Sequence, residues 1–229
     1  MTKYANQTRI LVAIDCVIFG FDGENLKILL IKRGFEPEKG KWSLMGGFIK
    51  ENESLDEAAN HILLQLTGLD GVYLEQFGAF GAPNRDHMER IISVAYFALI
   101  DIRKYETQLN DSYHAEWFLI NEVPKLVFDH SEILEAAKEK IRSKAALHPI
   151  LFELLPDKFT IPQLQNLYEG VYSTQIDNRN FVRKLTSIGI LIKLEEKDKS
   201  GSKKGAFYFT LDKKDLEAKS FNIFHLLNK

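Results

Sequence analysis

The chain has 229 residues, 45% of them hydrophobic and 27% charged, with a formal net charge of −2. This is enough apolar material for one large or two modest packed domains. The single cysteine, Cys16, excludes an intrachain disulfide and a cysteine zinc site.

Charge is unevenly spread. Residues 1–145 carry 17 Lys+Arg against 22 Asp+Glu, about −5; residues 146–229 carry 13 against 10, about +3. Such asymmetry fits a sensor joined to a polyanion binder, and equally fits ordinary surface variation. The N-terminal segment has no apolar core of signal-peptide type, and no apolar run approaches a membrane span. A cytoplasmic protein without membrane association is expected.

Arg9 to Phe21 is rich in β-branched and aromatic residues and predicts a strand; Asp22-Gly23-Glu24-Asn25 predicts a turn and Leu26 to Arg33 a second strand. Cys16 in this apolar context reads as a small buried hydrophobe. Asp15 is an acid inside the first strand. It must either face a polar pocket or find a structural donor, because buried acids are rarely unpaired.

After Trp42-Ser43-Leu44-Met45 come Gly46-Gly47-Phe48-Ile49-Lys50-Glu51-Asn52-Glu53. A helix then opens. Ser54 and Glu57 form a capping box, Leu55, Ala58, Ala59, Ile62, Leu63 and Leu66 repeat at helical spacing, and Thr67-Gly68 ends the run. Further strands are predicted over Val72 to Phe80, Arg90 to Ile102 and Glu116 to Phe118. A polar loop, Gly81 to Glu89, lies between the first two, and a helix follows over Ser131 to Ala145.

The glycine-to-helix stretch resembles the Nudix box, in which a glycine, five residues, a glutamate and seven residues precede an Arg-Glu-aliphatic-x-Glu-Glu-x-Gly-aliphatic run. Gly47 and Glu53 fit it. The Arg-Glu pair then falls on His61-Ile62, the Glu-Glu pair on Gln65-Leu66 and the closing Gly-aliphatic on Gly68-Leu69. In the enzymes those helix glutamates hold magnesium, which needs hard oxygen ligands. Ile62 and Leu66 supply none, and Gln65 supplies only a neutral amide oxygen. The resemblance therefore implies a kept scaffold without hydrolysis, with no catalytic residue, resident metal or cofactor. Glu51, Glu53 and Glu57 are expected in capping and loop-bracing roles rather than as ligands, and His61 on the surface.

The second half differs in kind. A domain boundary is placed near His148-Pro149, giving domains at 1–147 and 148–229 with no flexible linker, so the two should pack or dimerise rather than float. Thr160 caps a helix predicted to stop at Gly170; Asp177 caps a second, Asn178 to Ile188, ended by Gly189. Ile190 to Leu194 and Ala206 to Leu211 predict a hairpin with a lysine-rich tip. Helix, helix and basic-tipped hairpin make a winged helix-turn-helix, although Gly170 to Ile176 is long for its turn. Arginine and asparagine pair with guanine and adenine edges, and lysines suit phosphates. Thr174, Asn178, Arg179, Asn180, Arg183, Lys184, Lys203 and Lys204 are the candidate DNA contacts.

Nearly the whole chain resembles the Nudix-related transcriptional regulators. The residues that carry this are Phe159-Thr160-Ile161, Gln163-Leu164-Gln165, Tyr168-Glu169, Asp177-Asn178-Arg179-Asn180-Phe181 and Arg183-Lys184. It implies an α+β chain: a Nudix-like α/β/α sandwich with a mixed sheet, followed by the winged helix. It also implies a homodimer that binds double-stranded operator DNA, usually as a repressor, and releases it on binding a small effector. Gly46-Gly47 with Phe77-Gly78-Ala79-Phe80 looks most like the branch that senses pentoses such as arabinose. ADP-ribose sensing and an active Nudix hydrolase with an accessory domain are the alternatives. The candidate effector contacts are Asp15, Lys32, Trp42, Phe48 and Asp86.

Overall fold

The structure is a computed structural model and describes residues 6–108, 114–200 and 204–212. Its frame is β1, Leu11–Phe21, which pairs antiparallel with β2, Leu26–Lys32, and parallel with β6, Ile91–Asp101. The short strands β3, Trp42–Ser43, and β4, Met45–Phe48, pair with β2 and β1 respectively. Strands β5, Glu75–Phe80, and β7, Ala115–Leu119, complete a seven-stranded mixed sheet.

Because successive strand residues point to opposite faces, β1 serves two cores. Ile14, Cys16 and Ile18 are fully buried on one face, with Ala58, Ala59, Ile62 and Leu63 of α1, Leu55–Thr67. Val17, Phe19 and Phe21 are buried on the other, with Ile133, Leu134, Ala137 and Ile141 of α3, His130–Leu147. A short helix α2, Ile102–Tyr105, follows β6. Each such buried aliphatic or aromatic side chain contributes roughly 1.5–3 kcal/mol. The Ser54–Glu57 capping box forms as expected, and Gly68 ends α1 at φ 80.

The second unit begins with a 3₁₀ turn, Ile150–Leu154, and β8, Phe159–Thr160. Then come α4, Ile161–Tyr172, α5, Asn178–Ile188, and the hairpin β9, Leu191–Asp198, and β10, Ala206–Leu211. The small sheet runs β8-β10-β9. Asp177 and Gly189 cap α5 as expected.

One expectation fails. Helix α4 does not stop at Gly170 but runs to Tyr172, with Ser173 in the left-handed region at φ 51 as its end. The glycine serves packing instead. A Cβ there would lie 2.9 Å from Leu26 Cβ, so α4 rests directly on β2. The connection between helices consequently shortens to residues 173–177, a turn of ordinary length. The side chain of Glu169 organises it by accepting from Ile176 N at 2.8 Å.

The two units share one apolar core. Leu151, Leu154, Phe159, Leu164, Leu167 and Tyr168 are buried in the same cluster as Phe19, Leu26 and Ile28 of the large sheet. Polar contacts reinforce the seam: Arg142 Nε donates to Val171 O at 2.8 Å, and Tyr172 Oη to Arg142 O at 3.1 Å.

Replacing a solvent-facing helical glycine by alanine normally stabilises by about 1 kcal/mol. At Gly170 the added methyl meets Leu26, and overpacking of this kind costs roughly 1–3 kcal/mol. Gly170→Ala is expected to lower the urea midpoint at unchanged m-value. A raised midpoint would show that α4 does not lie against β2.

Candidate effector site and nucleic-acid interface

Asp15 continues the β1 stripe of Val17 and Phe19 beyond the end of the apolar core. It is 4% exposed yet not free. Its Oδ2 accepts from Ser93 Oγ at 2.5 Å and from Arg85 Nη2 at 3.3 Å. Arg85 in turn makes a two-pronged contact with Asp129, Nε to Oδ2 at 2.8 Å and Nη2 to Oδ1 at 2.6 Å. The Arg85 side chain is only 5% exposed. Burial opposes its charge, but the hydrogen bonds it donates to Asp129 and the field of Asp15 outweigh it, so its pKa moves up.

His130 closes the network. Its Nδ1 accepts from Leu44 N at 3.1 Å, which leaves the proton on Nε2, 3.4 Å from Asp15 Oδ1. Burial holds the imidazole neutral by pushing its pKa below 6.5, against the pull of Asp15 and Asp129. Gly46 is required beside this cluster, because a Cβ there would sit 2.4 Å from Asp15 Oδ1.

The strand registers put Asp15, Lys32, Trp42 and Phe48 on one face of the sheet: Phe48 lies opposite Ala13 and Lys32 opposite Trp42. Lys32 Nζ is 6.0 Å from the Trp42 ring centroid. Trp42 also packs edge-on against Phe118 at 4.7 Å, so one side of it belongs to the core. Phe48 is 53% exposed. Asp86 Oδ1 accepts from Met88 N at 2.8 Å and shapes the β5–β6 loop. Sequence reasoning missed Arg85, Asp129 and His130. Arg85 stood in the polar loop already marked, but nothing local tied it to Asp129.

The box residues behave as structure. Glu53 Oε1 accepts from Lys50 N at 2.6 Å. His61 Nδ1 is 2.8 Å from Glu53 Oε2, close but out of line for a hydrogen bond. Glu57 caps α1. Ile62 is buried against Gly47, Leu66 is half-buried and Gln65 is exposed. Among the described residues no group of three or more His, Cys, Asp or Glu side chains could hold a metal.

On α5, Phe181 and Leu185 are buried and anchor the helix. At 100° per residue, Arg179 and Arg183 fall on the opposite, exposed side. Arg183 Nη2 is held by Asn180 Oδ1 at 3.0 Å. Asn178 is differently placed: its Nδ2 donates to Gln165 Oε1 at 2.9 Å, tying α5 to α4. Lys184 lies at the flank and is half-buried, Thr174 is exposed in the turn, and Lys204 is exposed at the hairpin. Lys203 lies outside the described residues. The wing adds Lys193, beside Lys197 of the lysine-rich tip; the two lie 3.6 and 4.2 Å from the Phe207 ring.

A mixed sheet joined to a winged helix with an arginine-bearing second helix defines a two-part protein of sensor and DNA reader. The comparisons agree. Residues 9–137 match the NUDIX domain family and residues 151–211 the family described as NrtR DNA-binding winged helix domain. The chain is 33% identical over 202 residues, 86% of its length and 81% of the relative's, to "ADPR responsive transcriptional repressor NtrR" of Acinetobacter baylyi. It is 35% identical over 136 residues, 59% of its length and 77% of the relative's, to "ADP-ribose pyrophosphatase" of Methanocaldococcus jannaschii. Shewanella oneidensis NrtR complexed with a 27mer DNA superposes at TM-score 0.75 with 29% identity, over 92% of this chain and 97% of that one. The NUDIX domain of that NrtR, complexed with ADP ribose, gives 0.53 and 29% over 61% and 94%. The chain belongs to the NrtR-type family of Nudix-related transcriptional regulators.

The neutral His130 makes a pH prediction. The unfolded chain takes up a proton near pH 6.5 and the folded one does not, so the unfolded state binds more protons below that pH. The contribution of His130 is full above pH 6.5 and is lost as pH falls below it. Urea unfolding at pH 7.5 and 5.5 should show a smaller loss on acidification for His130→Gln than for the parent. Equal losses would mean His130 titrates as it does in the unfolded chain.

Proposed function

We propose that this protein is a transcriptional repressor that binds ADP-ribose in its Nudix domain and operator DNA through α5 and the wing, acting as a homodimer on a near-palindromic site. The observation that carries the reading is the likeness to an ADPR-responsive repressor across both domains. The pentose expectation loses its footing. It rested on Gly46-Gly47 and Phe77 to Phe80, and these residues have packing roles. Gly46 and Gly47 make room for Asp15 and Ile62. Phe77 packs against Phe80 at 6.2 Å and Phe97 at 6.0 Å.

The face bearing Lys32, Trp42 and Phe48 suits a nucleotide-like ligand, offering an aromatic surface beside a cation for phosphate. Hydrolysis is a different matter from binding. The likeness to a pyrophosphatase raises it, but Ile62, Gln65 and Leu66 offer no carboxylate to magnesium at the positions where the Nudix enzymes use one.

Calorimetry is expected to show saturable binding of ADP-ribose and none of arabinose or xylose. Incubation of ADP-ribose with magnesium should release no AMP. Pentose binding without ADP-ribose binding would restore the first expectation, and turnover near 1 per second, ordinary for an enzyme, would make this a hydrolase.

On DNA, Arg179 and Arg183 are the base readers and Asn178 braces the helix. Arg183→Ala should weaken operator binding by roughly 1–3 kcal/mol per half-site with little effect on random DNA. Lys204→Ala should weaken both about equally and flatten the salt dependence, since fewer counterions are released. Fluorescence anisotropy at two salt concentrations separates the two patterns. Equal loss on both DNAs for Arg183→Ala would make it a phosphate contact.

A further inference from the structure

We infer that α3 is the element by which the effector site acts on the DNA reader, with Asp129 at its input end and Arg142 at its output. The inference deepens the proposed function and rests on that reading for the identity of the effector.

The input is visible in how the helix begins. Asp129 stands at the N-cap of α3 but gives no side-chain bond to its own helix. Both of its oxygens go to Arg85 in the β5–β6 loop instead, and the next residue, His130, is held by Leu44 N. The start of α3 is therefore positioned by the buried network of the candidate effector face. One cation there is shared by two acids, Asp15 and Asp129. A phosphorylated ligand reaching Arg85 would compete with Asp129 for its donors, and the helix would lose its N-terminal tether.

The output, Arg142, lies five residues before the helix ends at Leu147. From Asp129 to Arg142 is 13 steps, about 20 Å at 1.5 Å each. Arg142 Nε donates to Val171 O, and its Nη2 lies 3.3 Å from Ser173 Oγ. Those two acceptors flank Tyr172, which returns a bond to Arg142 O. Ser173 is the left-handed residue that ends α4 and starts the turn into α5. Arg142 thus grips the point that sets the direction of the recognition helix. It is a positioning residue and does not itself meet effector or DNA. A helix carries displacement between its ends because its interior is apolar and close-packed, here through Ile133, Leu134, Ala137 and Ile141.

A double-mutant cycle tests this without any ligand. Operator affinity is measured for the parent, Asp129→Asn, Arg142→Ala and the double variant. Residues this far apart normally act additively, within about twofold in affinity. The inference expects the double variant to depart from the product of the single effects by more than about threefold. Agreement within twofold overturns it.

ADP-ribose is then added. If the parent loses operator affinity by a factor in the usual 5–150-fold range, Arg142→Ala should cut that factor to about twofold, while ADP-ribose affinity of the free protein stays within about twofold of the parent. Full retention of the response in Arg142→Ala also overturns the inference. If the parent does not respond to ADP-ribose, the effector assignment falls and the cycle still decides the role of α3. Should Arg142→Ala fail to fold, Arg142→Lys serves, because a lysine keeps the stem and charge but cannot reach both acceptors with a planar fork.

Discussion

The close packing of α4 on β2 at Gly170 and Leu26 is the contact on which the rest of the arrangement depends. Without a side chain at Gly170, the helix axis comes near enough for the winged helix to add its own apolar residues to the core of the sensor. Two consequences follow from that one approach. The winged helix has no separate interior of any size, since Phe159, Leu164, Leu167 and Tyr168 are buried in the cluster that contains Phe19, Leu26 and Ile28. Its orientation is then fixed by the sheet rather than by a linker. An effector that changes the sensor can therefore be felt at α5, because linkage operates only between parts whose states are joined.

Polar chemistry is arranged around the same core. Asp15 sits where the apolar stripe of β1 runs out, and its burial is made tolerable by Ser93, Arg85 and His130 rather than by solvent. Breaking such a buried set on one side leaves an uncompensated charge, which costs roughly 3–5 kcal/mol. A network of that kind has few stable arrangements, and this makes it a useful place for a ligand to act. The helix after Gly46-Gly47 fits the same division of labour. Ile62 packs on Gly47 and strengthens the scaffold.

The features legible in the sequence were those whose causes are local. The capping box at Ser54 and Glu57, the caps at Asp177 and Gly189 and the β-branched and aromatic run of β1 all rest on neighbours within a turn or a strand. The features missed have distant causes. Gly170 looked like a helix stop because glycine usually ends helices; its reason is Leu26, far away in the sequence and adjacent in space. Nothing near Asp129 marks it in the sequence; its partner Arg85 is 44 positions away. Asn178 carried the right chemistry for reading adenine, but Gln165, 13 residues earlier, engages its amide. The effector face is the least legible in the sequence, because residues that line a pocket and residues that shape it have the same composition.

The central claim is that sensor and reader are one cooperative body, and their unfolding tests it most directly. Both tryptophans, Trp42 and Trp117, lie in the sensor, so their emission reports that half alone. Hydrogen exchange at the amides of α4 and α5 reports the other. The account predicts that the two follow a single urea transition, with the same midpoint and the same free energy of opening. Loss of protection in α4 and α5 while the tryptophan emission remains native would contradict it.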